Sequence, residues 1–346
     1  MFGSQKIKSR DVAQRLISGH VALMAYWALK HAGVLEAMLR DETAAVGLEP
    51  QAFAESAKLS PAVLEALLRY MAQAGLVLSR DGRAFLTAEG RALVEQENGV
   101  LELVRSYSGV MEILEHLLVG LKTATPGAVR RYDAANDAQH QRWLPEVYPA
   151  LETLVLKLKL THLLDVACGT GELLKRLAKR NNKIVGVGIG NDGAQVRRAN
   201  QMISAAALEK RLIAVTASPI ETLMQTQKVF ERIGISQQLW EEIDAVLIPY
   251  TLGETTGLNR EVIVKTLAKA ARNFPKAKLV LIEPCMGARF DKNYYAPEWS
   301  LLLSLVHTPL WPVEEWRSAI REAGLRLVNE VPLVTDGTTV FVISAQ

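Results

Sequence analysis

Apolar side chains recur at helical spacing between Ser60 and Gly75, where Val63, Leu64, Leu67, Leu68 and Met71 would share one face. Ser60-Pro61 offers an N-cap and a first-turn proline, and Gly75 offers a stop, so the pattern predicts a bounded amphipathic helix. Two short apolar runs follow within residues 76–86, around Arg80-Asp81-Gly82-Arg83, and Asp-Gly between such runs predicts a tight hairpin. Upstream, residues 51–58 read as a short helix. Residues 18–39 carry Leu23, Trp27 and Leu35 among alanines, which predicts a helix pair broken near Gly33. That pair is too apolar for a solvated face, so it requires a partner element or a partner chain.

Helix, turn, helix and hairpin together make a winged-helix arrangement over residues 1–100. Residues 101–158 read as helical and aromatic, with Tyr107, Tyr132, Trp143 and Tyr148. Thr125-Pro126-Gly127 interrupts them, and Pro145 and Pro149 shape their end. This stretch is expected to bridge two domains and to supply one wall of a pocket. From residue 159 to 346 the pattern alternates, with strands expected at 161–167, 183–189, 212–216, 245–249 and 279–283 and helices between them. After Gly257, Ile263, Leu267, Ala270 and Phe274 align along a helix that ends before Pro275. Two final apolar runs, 325–334 and 338–344, meet at Thr335-Asp336-Gly337 and predict an antiparallel hairpin. The expected fold class is therefore α/β: a Rossmann-like sheet with a terminal antiparallel hairpin, behind a mainly α winged-helix domain.

Composition narrows the classes of partner. The 346 residues carry a formal net charge of +3 with 22% charged side chains, which gives no reason to expect a polyanion partner. Two cysteines, Cys168 and Cys285, form neither a disulfide framework nor a metal-ligand pattern and fit a reducing cytoplasm. Residues 1–15 hold no hydrophobic signal core, and no apolar run approaches the ~18 residues that span a bilayer. A cytoplasmic protein without membrane or nucleic-acid partners is expected.

The chemistry concentrates at Leu-Leu-Asp-Val-Ala-Cys-Gly-Thr-Gly, residues 163–171, an apolar strand running into a small-residue turn ahead of a helix at 172–179. Ligands of parallel sheets bind beyond the carboxyl ends of strands, and glycine there lets backbone approach them. A dinucleotide fingerprint would need a third glycine where Leu174 stands. The segment instead resembles motif I of class I S-adenosylmethionine-dependent methyltransferases, with Ala167, Gly169 and Gly171 on its three glycine positions. Taken with the winged-helix block and terminal hairpin, nearly the whole chain resembles the small-molecule O-methyltransferase family, which has carbon-methylating bacterial relatives.

The resemblance implies S-adenosyl-L-methionine as cofactor, a small-molecule substrate, and a homodimer through the N-terminal domain, with methyl transfer to carbon or oxygen in secondary metabolism. It assigns cofactor contact to Asp165, Ala167, Cys168, Gly169 and Gly171, then to Gly190, Asn191 and Asp192 after the second strand, and to Ala217 and Ser218 after the third. Several positions depart from the family. Gly190 replaces the acidic residue that holds the ribose, Ala217-Ser218 replaces an aspartate near the adenine, and Gly253-Glu254 falls where the family has its catalytic histidine and aspartate.

Glu254 is thus the first candidate base, with Tyr250 as a hydrogen-bond donor and His307 as a second proton acceptor. Trp143, His140, Tyr295 and Trp299 are candidate substrate contacts, within an aromatic group that includes Tyr294 and Trp311. Arg142 or Arg289 could hold an acidic substrate, Glu283 is given a structural role, and no metal is expected. Two other readings stand beside this one: a cyclase or isomerase that binds the cofactor without transferring methyl, and a winged-helix DNA-binding regulator.

Overall fold

The computed structural model describes residues 9–120, 143–144, 146–286, 301–302, 304–306, 310–333 and 337–345. Its contacts divide the chain into two units, Met1–Leu101 and Glu102–Gln346. His140, Arg142, Arg289, Tyr294, Tyr295, Trp299 and His307 lie outside the described residues, as does the expected turn at 335–336.

The first unit holds α1 (Ser9–His31), α2 (Val34–Leu39), α3 (Asp41–Val46), α4 (Pro50–Ser56), α5 (Pro61–Gln73) and a hairpin of β1 (Val77–Arg80) and β2 (Arg83–Leu86). Asp81 and Gly82 both take positive φ, 50° and 73°, the geometry that Asp-Gly provides for a two-residue hairpin. Leu48 adds a third pairing by exchanging backbone hydrogen bonds with Ala84, 2.9 Å each way. Apolar faces of α1, α2 and α5 bury Tyr26, Leu29, Leu35, Met38, Leu64 and Met71. Two details differ from the sequence pattern. Ser60 occupies the N-cap of α5 without a side-chain cap bond, whereas Glu49 caps α4 by accepting from Gln51 N and Ala52 N.

In the second unit the sheet comprises β3 (His162–Asp165), β4 (Val185–Gly190), β5 (Leu212–Thr216), β6 (Ala245–Pro249), β7 (Lys278–Met286), β8 (Trp311–Pro312), β9 (Leu325–Pro332) and β10 (Thr338–Ala345). Its order is β5-β4-β3-β6-β7-β10-β9, with the first five parallel and β10 antiparallel to both neighbours. The short β8 pairs in parallel with the end of β7. Because β4 follows on one side of β3 and β6 lies on the other, the strand order reverses between β3 and β6, and a crevice opens beyond their carboxyl ends.

Both sheet faces are apolar, as parallel strands covered by helices require. On one face Leu163, Leu247, Val280 and Val342 pack against α6 (Val147–Lys157), α7 (Glu172–Arg180) and α8 (Gly193–Ala205). On the other, Leu164, Ile189, Ile248 and Phe341 meet α9 (Pro219–Met224), α10 (Thr251–Thr256), α11 (Arg260–Asn273) and α12 (Val313–Glu322). β5 and β6 keep their expected limits. β3 is shorter than 161–167, because Asp165 Oδ1 accepts from Ala167 N at 3.1 Å and turns the chain. β7 outruns 279–283, because β10 pairs with it as far as Pro284 and β8 holds Cys285 and Met286.

Candidate functional site

Asp165 ends β3 at the reversal point, between Gly188 of β4 and Leu247 of β6. It is 1% exposed, and burial lifts its carboxyl to about 7, partly offset by the Ala167 hydrogen bond. No cation among the described residues bonds to it. Asp165, Ala167, Gly169, Thr170 and Glu172 line a cleft together with Trp143, Tyr148 and Pro249. Gly169 has φ 51°, which strains any residue with a Cβ. Glu172 opens α7, where it pairs with Lys175.

The turn residues divide by direction. Cys168 lines the cleft but sends its thiol into the core, where a Cβ on Gly188 would come within 2.8 Å of it and burial pushes its pKa up. Gly171 takes φ 77° as the N-cap of α7, and a Cβ there would meet Ala199 at 3.2 Å. Its glycine identity thus serves the packing of α7 against α8.

At the ends of β4 and β5 the candidate cofactor residues are engaged locally. Gly190 is closed over by α8, since a Cβ would lie 2.9 Å from Val196 Cγ2. Asp192 Oδ1 accepts from Ala194 N at 2.8 Å as the N-cap of α8. Ser218 Oγ accepts from Glu221 N as the N-cap of α9, and Ala217 is buried in the core. Asn191 is exposed.

The end of β6 carries the aromatic wall. Tyr250 caps α10 in the left-handed region (φ 47°, ψ 26°), an uncommon conformation for an aromatic residue. Its hydroxyl bonds Thr338 Oγ1 and accepts from Trp143 Nε1 at 3.2 Å. The two rings meet edge to face at 5.2 Å, and Tyr148 packs against the same indole at 5.6 Å. Trp311 lies apart from this group, on β8 against Trp316.

Glu254 sits half-buried in the first turn of α10. Behind it, Glu283 is a second buried carboxyl. Its Oε1 accepts from Leu252 N and Gly253 N at 3.0 and 3.3 Å, and burial raises its pKa to about 8 against those two bonds, with the Glu254 charge adding a small increase. A Cβ at Gly253 would stand 3.1 Å from Glu283 Oε2, so glycine makes room for this carboxyl. The sequence places Glu283 at the end of a strand, but β7 continues to Met286, and the partnership of Glu283 with the start of α10 was not legible. Among the described residues, no three His, Cys, Asp or Glu side chains group as a metal site requires.

No protein-family model and no curated protein matches the chain. Solved structures do. A mitomycin 7-O-methyltransferase is 16% identical, with each chain covered over 98% and a TM-score of 0.69. An O-methyltransferase described as putative, from Nostoc punctiforme, is 15% identical over 98% of this chain and 99% of its own, with a TM-score of 0.71. A neocarzinostatin-biosynthesis O-methyltransferase, solved with S-adenosylmethionine and a hydroxy-methyl naphthoic acid, is 19% identical over 94% and 96%, with a TM-score of 0.58. At such identities the likeness establishes the fold, which is that of these methyltransferases over nearly the whole chain.

Proposed function

We propose that the protein transfers a methyl group from S-adenosyl-L-methionine to a small-molecule metabolite. The observation that carries this reading is the buried Asp165 carboxyl at the β3–β6 reversal, which faces a cleft and has no cationic partner among the described residues. Such a group favours a ligand that brings positive charge and hydrogen-bond donors. The amino-acid end of S-adenosylmethionine brings both, and when bound its sulfonium supplies an activated methyl. Asp165, the Gly169 backbone and Glu172 would hold that end.

The aromatic wall of Trp143 and Tyr148, with Tyr250 packed against Trp143, supports a flat, largely apolar acceptor with few polar anchors. This agrees with the naphthoic acid bound by one structural neighbour. Glu254, in the first turn of α10, is our first candidate to take a proton from the acceptor or to orient it, with His307 as the second, and Tyr250 steadies the wall through Trp143 and Thr338. The acceptor atom is carbon or oxygen in this reading. Isothermal titration with S-adenosylhomocysteine tests it: binding in the micromolar range is expected, and no heat at millimolar ligand would refute it.

The same reading includes a cytoplasmic homodimer with a place in secondary metabolism. No helix among the described residues is long and apolar enough to cross a membrane. In the N-terminal unit an apolar groove between α1 and α5 exposes Val21, Met24 and Val63, and Leu16 and Ile17 extend that surface. This supports burial against a second copy. Basic side chains of α5 and the hairpin are matched locally: Arg69 with Glu65, Arg80 with Asp81, and Arg83 with the Gly47 carbonyl. That pattern supports dimerisation over DNA binding. Light scattering should give a dimer mass, reduced to a monomer by Met24→Glu with Val63→Glu.

A second reading, a cyclase or isomerase that retains the cofactor without transferring methyl, is motivated by Gly190 and Ala217-Ser218, which lack the carboxylates the resemblance expects there. Stoichiometric release of S-adenosylhomocysteine during turnover would exclude it.

A further inference from the structure

We infer that this site grips its cofactor by the amino-acid end and leaves the ribose hydroxyls unread by any carboxylate, so that it accepts cofactors altered at the ribose. The inference rests on the S-adenosylmethionine reading above. In sheets of this kind an acidic side chain after the second strand normally binds the ribose hydroxyls. Here β4 ends in Gly190, and α8 has closed over the space, with Val196 Cγ2 standing 2.9 Å from where a Cβ would be.

The neighbouring carboxylate, Asp192, is tied to Ala194 N as a helix cap. On β5's side, Ala217 is buried, and the hydroxyl of exposed Ser218 accepts from Glu221 N as a helix cap. Arg197 Nη1 lies 3.5 Å from the Cβ position of Gly193, and no acidic side chain among the described residues pairs with this exposed guanidinium. Exposed Asn191 is a polar side chain at this edge, and its neutral amide offers hydroxyls weaker bonds than an ionised carboxylate would. The cleft beyond β3 is lined by the carboxyls of Asp165 and Glu172, the latter paired with Lys175.

Titration of the full chain with three probes tests this: S-adenosylhomocysteine, its 2′-deoxy analogue, and methylthioadenosine, which lacks the amino-acid end. The deoxy analogue should bind within about threefold of S-adenosylhomocysteine, and methylthioadenosine about a hundredfold more weakly. A loss of about thirtyfold or more for the deoxy analogue would overturn the inference while leaving the methyltransferase reading intact. No binding of S-adenosylhomocysteine would overturn that reading and this inference with it. Asn191→Asp, an exposed change that perturbs no packing, should tighten S-adenosylhomocysteine about fivefold without tightening the deoxy analogue. An unchanged ratio would show that the ribose does not lie beside β4.

Discussion

The ends of β3 and β4 are adjacent, both run strand, turn, helix, and both place an aspartate in the turn, yet the two aspartates do opposite work. Asp165 lies inside the sheet's edge, where one backbone hydrogen bond leaves it far from solvated and lifts its proton affinity. Asp192 lies outside, where its carboxylate satisfies an amide that α8 would otherwise leave unpaired. The first stores a need that a ligand can meet. The second has already met a need of the fold, so it contributes stability and little recognition.

Asp165→Asn should separate the two roles most sharply. Cofactor affinity should fall by about a hundredfold in titration, because the ionised partner is gone. Stability should move the other way. The folded-state carboxyl titrates near 7 against an ordinary 3.8, so its contribution to stability is complete below about 4 and is lost as pH rises through 7. Asparagine removes that loss, and the apo thermal midpoint at pH 8 should rise by about 5 °C, with a smaller rise at pH 5. A drop at pH 8 would mean that Asp165 is structural, like Asp192.

The end of β6 extends the comparison to a third strand. Glu254→Gln should lower turnover about thirtyfold while cofactor affinity stays within about twofold. Unchanged turnover would leave Glu254 with a helix-terminal role, as at β4. Next in size is a pH effect: affinity for the cationic cofactor should fall by about fivefold between pH 7 and pH 6, as Asp165 takes a proton. A flat profile would show that the ligand's charge does not meet this carboxyl. Smallest is Asp192→Ala, which should destabilise the protein by about 1 kcal/mol in denaturant unfolding and change affinity by less than about threefold. A large affinity loss there would erase the contrast between the strands.

How much of this was legible along the chain varies element by element. β5 and β6 appear at their expected limits because each is a short apolar run; β6 is buried on both faces, whereas β5, at the sheet's edge, leaves Ile213 and Thr216 exposed. β3 and β7 differ from expectation because their ends are set by an aspartate turning on its own backbone and by pairing with β8 and β10. Glu49 went unrecognised as a cap, since glutamate is not among the residues that ordinarily fill that position.

The site shows the same division. Asp165, Ala167 and Gly169 are consecutive enough for a turn pattern to place them together, and the structure keeps them on one cleft. Gly171 fits the same motif, but its glycine serves the contact with Ala199, which sequence spacing does not reveal. Trp143 and Tyr250 are 107 positions apart, and Glu283 is 30 from Gly253, so neither pairing follows from local pattern.

The sequence alone determined the alternation of strand and helix, the turn between Asp165 and Gly171, and the absence of an acidic residue at position 190. These follow from local propensity, periodicity and residue identity, which require no knowledge of neighbours. Tertiary structure decided which polar groups remain available to a ligand. Gly253 opens space for the Glu283 carboxyl, α8 closes over Gly190, and the caps consume Asp192 and Ser218. A side chain's availability depends on every donor and atom packed around it, and those come from elements far away in the chain.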